Sequence, residues 1–158
     1  MESSLDRLRA LYAEHAPMLL RYLYRLTGRR DEAEDLLQET FVQALKGLDR
    51  LEAAASPRAW LFAIARHLGL NARQRRREML PLDGQLAAPA DNEPDARLER
   101  MREAIAALPE KQRDALQLRL GEGLTYEEIA VVLDIPVGTV RSRLHTAVRS
   151  LRELFNQE

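Results

Sequence analysis

The stretch "LTYEEIAVVLDIPVGTVRSRL", residues 124–144, decides how this chain folds. Thr125 followed three residues later by Glu128 is a capping-box pattern, a hydroxyl and a carboxylate that satisfy backbone donors left free at a helix start. Ile129, Val132 and Leu133 then form an inward stripe, and Ala130 is small enough to let a second helix cross closely. Pro136 ends the first helix and suits the first turn of the next. In that next helix Val140, Leu144, Ala147, Val148 and Leu151 share one face, which leaves Arg141, Ser142, His145 and Arg149 on the other. Residues 137–152 hold four arginines and no acid. Two short helices joined by a tight turn, the second with outward cations, describe a helix-turn-helix, whose second helix meets base edges while flanking cations meet phosphates. Gly138 and Thr139 would offer bare backbone amides of the first helical turn to a phosphate.

Outward from this stretch, apolar residues recur at helical spacing, as in Leu8, Leu11, Tyr12 and Leu19, Leu20, Leu23, Tyr24, and no five-residue run alternates cleanly like a strand. The fold class expected is all-α. Pro17, "TGRR" at 27–30 and "AAASP" at 53–57 mark breaks, giving N-terminal helices near 5–15, 17–27, 31–48 and 57–78. Residues 80–95, "LPLDGQLAAPADNEPD", hold three prolines, one glycine, four acids and no basic residue, the composition of a flexible acidic linker. Helices resume near 95–107, 109–121, 125–133 and 137–155. The organisation expected is therefore two small helical domains, 1–79 and 96–158, joined by residues 80–95.

The bulk composition narrows the function. The chain has 158 residues, 46% of them hydrophobic, enough for compact cores. Nothing approaches the roughly 20 uninterrupted apolar residues of a membrane span, and "MESSLDRLRA" has no apolar leader core, so a cytoplasmic protein without direct membrane insertion is expected. With no cysteine there is no disulfide, thiolate nucleophile or sulfur-ligated metal. No Gly-rich phosphate loop is present, and His15, His67 and His145 are scattered, so no enzyme activity, cofactor, metal site or small-molecule substrate is expected. Net charge is only -1, but it is segregated along the chain.

Residues 58–77, "RAWLFAIARHLGLNARQRRR", contain six arginines and no acid, with Trp60, Leu61, Ile64 and Leu68 as the inner stripe. Such a helix can neutralise several phosphates, which gives affinity that is steeply salt-dependent and largely blind to sequence. Its cationic candidates are Arg66, Arg73, Arg75 and Arg76; its base-reading candidates are His67 and Asn71, which can hydrogen-bond an exposed base edge. Just upstream, "DEAEDLLQETF" at 31–41 is acidic. Asp31 and Glu32 suit a helix N-terminus. However, Asp31 with Asp35, and Asp35 with Glu39, are like-charge pairs four apart, each costing roughly 0.2–0.5 kcal/mol. An acidic ridge kept at that cost points to a basic protein partner.

"DEAEDLLQETFVQAL", "PRAWLFAIARHLGLNARQRRR" and "LPEKQRDALQLRLGEGLTYEEIAVVLDIPVGTVRSRLHTAVRSLRE" resemble, in order, the polymerase-binding, promoter-melting and upstream-element-reading segments of the extracytoplasmic-function group of bacterial sigma factors. The resemblance covers nearly the whole chain apart from the linker. It implies that Arg141, Ser142, His145 and Thr146 read the minus-thirty-five element of promoter DNA, with Gly138, Thr139 and Arg149 beside them. It implies that Asp31, Asp35, Gln38 and Glu39 dock on the basic coiled coil of core RNA polymerase. The helix with Arg66, His67, Asn71, Arg73, Arg75 and Arg76 would melt the minus-ten element and hold an extruded base, at a stacking cost of roughly a few kcal/mol. The family pattern commonly has Asn at the position of His67 and often Asp at that of Asn71. An anti-sigma protein is a further partner the resemblance implies.

The acidic linker, extended by its prolines, is expected to imitate nucleic-acid charge in a basic channel of the polymerase. The chain ends soon after the recognition helix, so no C-terminal sensing domain is expected. The rival reading is a free-standing helix-turn-helix regulator. It predicts duplex binding without polymerase and leaves the second basic helix and the acidic ridge without a task.

Overall fold

A computed structural model describes residues 3–79 and 95–156, and among these every regular element is helical. The chain divides into two compact units, Met1–Ala90 and Asp91–Glu158. The first holds α1 (Ser4–Thr27), α2 (Arg30–Lys46), α3 (Leu48–Ala53) and α4 (Pro57–Met79). The second holds α5 (Ala96–Ala106), α6 (Glu110–Leu116), a π-helical turn (Gln117–Gly121), α7 (Tyr126–Leu133) and α8 (Val137–Asn156). The all-α expectation holds. Residues 80–94 of the expected linker lie outside the described residues; Asp95 caps α5, its carboxylate accepting from the Arg97 amide at 2.9 Å.

Pro17 does not divide the first helix: α1 runs unbroken through it. The proline is exposed, and Leu8, His15, Leu19, Tyr22, Leu23 and Leu26 form one buried row along the same helix. Packing along that row offsets the backbone hydrogen bond that proline cannot donate. α1 ends at Gly28, in the left-handed region at φ 73°, whose amide donates to the Tyr24 carbonyl at 2.7 Å. The expected helix 31–48 is also cut short. Gly47 ends α2, and the short α3 follows to bury Leu51. The indole of Trp60 fills the space beside Gly47, where an added Cβ would come within 3.3 Å of it.

The buried row of α4 is Ala59, Leu61, Phe62, Ala65, Gly69 and Ala72, rotated from the expected stripe. Trp60, Ile64 and Leu68 are half-buried at its flank. Small residues win the central line because α1 lies close: a Cβ on Gly69 would stand 2.8 Å from Leu26 Cδ1 and 3.3 Å from Leu23 Cδ2. Tyr22 and Phe62 meet edge-to-face at 5.5 Å in the same core.

In the second unit the capping box forms as the sequence predicts. The Glu128 amide donates to Thr125 Oγ1 at 3.1 Å, and the Thr125 amide donates to Glu128 Oε1 at 3.0 Å. Replacing Thr125 with Ala is expected to destabilise this unit by about 1 kcal/mol, and with Ser by much less, in urea unfolding followed by circular dichroism. α7 closes at Asp134, which adopts the left-handed region at φ 54°, while the Ile135 amide reaches the Ala130 carbonyl at 3.1 Å. The turn thus begins before Pro136, which stands just ahead of α8 and accepts from the Thr139 and Val140 amides.

Candidate nucleic-acid interface

α8 buries Val140, Leu144, Ala147 and Leu151 against its unit, so the opposite face carries Gly138, Arg141, Ser142, His145 and Arg149, all exposed. Val148, expected inside, is 38% exposed, and Thr139 and Thr146 are half-buried at the edges of the row. The amide of Thr139 is not bare: it donates to the Pro136 carbonyl at 3.0 Å. Gly138 keeps its open approach, since a Cβ there would meet nothing within 4 Å. Arg119, which sequence reading passed over, supports the entry to α7. Its Nη1 donates to the Leu124 carbonyl at 2.9 Å, and its guanidinium lies 5.1 Å from the centre of the Tyr126 ring. The π-helical turn that carries it adds one residue per turn and leaves Leu120 69% exposed, a change of register that helical periodicity does not announce.

On α4 the expected cations separate by environment. Arg75 is exposed, and Arg73 is half-buried. Arg66 is half-buried and donates from Nη1 to the Tyr22 hydroxyl at 3.2 Å. Arg76 turns inward: Nη1 donates to the Thr27 carbonyl at 2.7 Å and Nη2 pairs with the Glu32 carboxylate. His67 and Asn71, one turn apart and both exposed, lie 3.2 Å apart through Nε2 and Nδ2. The two side chains share one hydrogen bond, in which the imidazole tautomer sets the direction.

Asp31, Asp35, Gln38 and Glu39 are exposed on α2, whose buried side carries Ala33, Leu37, Thr40 and Ala44. Glu39 accepts from Gln43 Nε2 at 2.9 Å, and Glu34 pairs with Arg30 at 3.3 Å. Helical spacing continues the row of Asp31, Asp35 and Gln38 into Val42 and Leu45, which are 44% and 48% exposed. The exposed face of α2 is therefore acidic at one end and apolar at the other, an extension the charge pattern concealed. The structure also joins two surfaces that the sequence left apart. Asp35, Leu36 and Glu39 of α2 form one wall of an open groove whose other wall is Leu68, Asn71, Gln74, Arg75 and Glu78 of α4.

Among the described residues no group of acidic, histidine or cysteine side chains could hold a metal ion, and no helix is long and apolar enough to cross a membrane.

Comparison with known proteins supplies the context for these surfaces. Residues 11–78 match the family model of Sigma-70 region 2, and residues 98–151 match that of Sigma-70, region 4. The chain is 40% identical over 153 residues to the ECF RNA polymerase sigma factor SigL of Mycobacterium tuberculosis, covering 92% of this chain and 86% of that protein. It is 36% identical over 155 residues to the ECF RNA polymerase sigma factor EcfG of Rhodopseudomonas palustris, covering 95% and 86%. Among solved structures, the sigma factor RpoE of Bartonella quintana, crystallised with the anti-sigma factor NepR, superposes with a TM-score of 0.71 at 29% identity, covering 96% of this chain and 98% of that one. With both region models matched in order and these relatives aligned along nearly its whole length, the chain belongs to the extracytoplasmic-function group of RNA polymerase sigma factors.

Proposed function

We propose that this sigma factor works as a two-unit adaptor in which residues 1–79 dock on core RNA polymerase and melt the minus-ten element, and residues 96–158 read the minus-thirty-five element. Asp31, Asp35, Gln38 and Glu39, extended by Val42 and Leu45, form the docking face. His67 and Asn71 meet the extruded base, with Arg66, Arg73 and Arg75 near the strand's phosphates. Arg141, Ser142, His145 and Thr146 face the upstream bases, and Gly138, Thr139 and Arg149 flank the backbone. Nucleotide addition belongs to the core enzyme; the chain contributes promoter choice and strand opening. The site of action is the bacterial cytoplasm. The similar RpoE was solved with an anti-sigma factor, which supports control of this chain by a protein of that kind.

The observation that carries this reading is the exposed acidic row of α2 and the exposed cationic row of α8 in a single chain. A free-standing regulator uses only the second. The test is to reconstitute holoenzyme from the chain and core polymerase, select promoters from a randomised duplex library, and compare binding of the same duplexes without core. Promoter-dependent initiation with core and weak binding without it are expected. Tight, polymerase-independent binding would support the rival. Arg141→Ala is expected to cost about 1–3 kcal/mol on the selected promoter and to relax preference at one upstream base, read by repeating the selection.

A further inference from the structure

α4 passes out of its own core before it ends. Its last buried residue is Ala72, yet the helix continues to Met79, and residues 73–79 carry four of the six arginines of α4. The direction of this basic end depends on what ties it to the unit. Arg76 lies four residues beyond Ala72 and seven beyond Gly69, so it continues the buried row rather than the outer face. Its side chain is 22% exposed and that of Glu32 is 25% exposed.

The two acceptors of Arg76 are themselves fixed. Thr27 is 1% exposed, its hydroxyl donates to the Leu23 carbonyl at 2.9 Å, and Gly28 caps α1 immediately after it. Its carbonyl therefore sits at the negative end of α1. Glu32 stands in the first turn of α2, where the positive end of that helix favours a carboxylate. The planar guanidinium bridges the two with its donors pointing inward, a geometry a lysine cannot reproduce.

We infer that Arg76 is a positioning residue for strand opening, holding the basic end of α4 in place through Glu32 and the Thr27 carbonyl instead of contacting a DNA phosphate. This rests on the assignment of α4 to promoter melting. Glu32 becomes its partner, so the helix that docks on polymerase and the helix that meets DNA share one bridge. Arg75, Arg76 and Arg77 look interchangeable in sequence, but only the middle one falls on the inner face.

The experiment uses holoenzyme and a selected promoter carrying 2-aminopurine in the melted segment. Arg76→Glu and Glu32→Arg are each expected to slow opening by about tenfold, and the exchanged pair to recover most of the rate. Arg76→Gln should leave the slope of log affinity against log salt unchanged, whereas Arg75→Gln should lower it by about 0.7–0.9. Glu32→Gln should slow opening with core affinity within about twofold of wild type, which separates positioning from unfolding. Where a charge reversal fails to fold, Arg76→Lys with Glu32→Gln carries the test at milder amplitude. A salt slope reduced by Arg76→Gln, or an exchanged pair as slow as Arg76→Glu alone, overturns the inference. Wild-type holoenzyme that initiates at the promoter without opening it through α4, shown by Arg75→Gln and Asn71→Ala having no effect, removes the melting assignment and this inference with it.

Discussion

Replacing Asp35 and Glu39 together with arginine is expected to weaken binding to core RNA polymerase by about 100-fold, close to 3 kcal/mol. Both side chains are exposed on α2, opposite the buried Ala33, Leu37, Thr40 and Ala44, so neither holds the unit together. The substitution exchanges one like-charge pair at i and i+4 for another and creates a favourable pair between Asp31 and the new cation at 35, so α2 itself is barely affected. The bond from Gln43 to Glu39 is lost, but an exposed contact of that kind contributes little. The loss therefore falls on the interface, where two attractions to a basic partner become repulsions. Wild-type affinity should fall with added salt, and that of the variant should be flatter. Val42→Ala with Leu45→Ala should instead weaken binding in a nearly salt-independent way, because these side chains contribute apolar area. Fluorescence titration of labelled protein with core polymerase at several salt concentrations reads all three. An affinity for the double reversal within about threefold of wild type would move the docking site away from α2.

The helix-turn-helix was legible because its signals are local. A capping box, an apolar row at helical spacing and a proline lie within about twenty residues, and no distant contact is needed to interpret them. Pro17 misled for the complementary reason. A proline is a local stop signal, but the row from Leu8 to Leu26 packs along α1 on both sides of it, and tertiary burial outweighed one missing hydrogen bond. α3 was missed because six residues form too little pattern to count, and what fixes them is Leu51 entering a core built from other helices. The charge readings divide along the same line. The exposed row of α8 follows from its own periodicity, whereas the inward turn of Arg76 depends on the corner between α1 and α2, some fifty residues earlier in the chain. Composition marks where cations are concentrated. The fold decides which of them are already in use.

The substitution expected to damage the fold most is Phe62→Ala, with a loss of about 3–5 kcal/mol. Phe62 is fully buried at the centre of the first unit, and its ring packs edge-to-face against Tyr22. Truncation removes the largest apolar contact of the inner row of α4 and leaves a cavity that Ala59, Ala65 and Gly69 are too small to fill. A unit of this size has roughly 4–11 kcal/mol of stability, so the loss takes a large share of it. Phe62→Leu keeps much of the volume and should cost about 1.5 kcal/mol or less. The functional consequence runs through Tyr22, whose hydroxyl accepts from Arg66. When the ring loses its partner, the arginine loses its anchor, and the outer face of α4 is no longer presented in one arrangement. Strand opening and core binding should therefore decline with the unfolding of this unit. The exposed row of α8 belongs to the other unit, so binding to an upstream-element duplex should survive. Urea unfolding measures the first effect, and titration of the variant with that duplex measures the second. If duplex binding falls in step with stability, the two units share their folding and the adaptor is a single cooperative body.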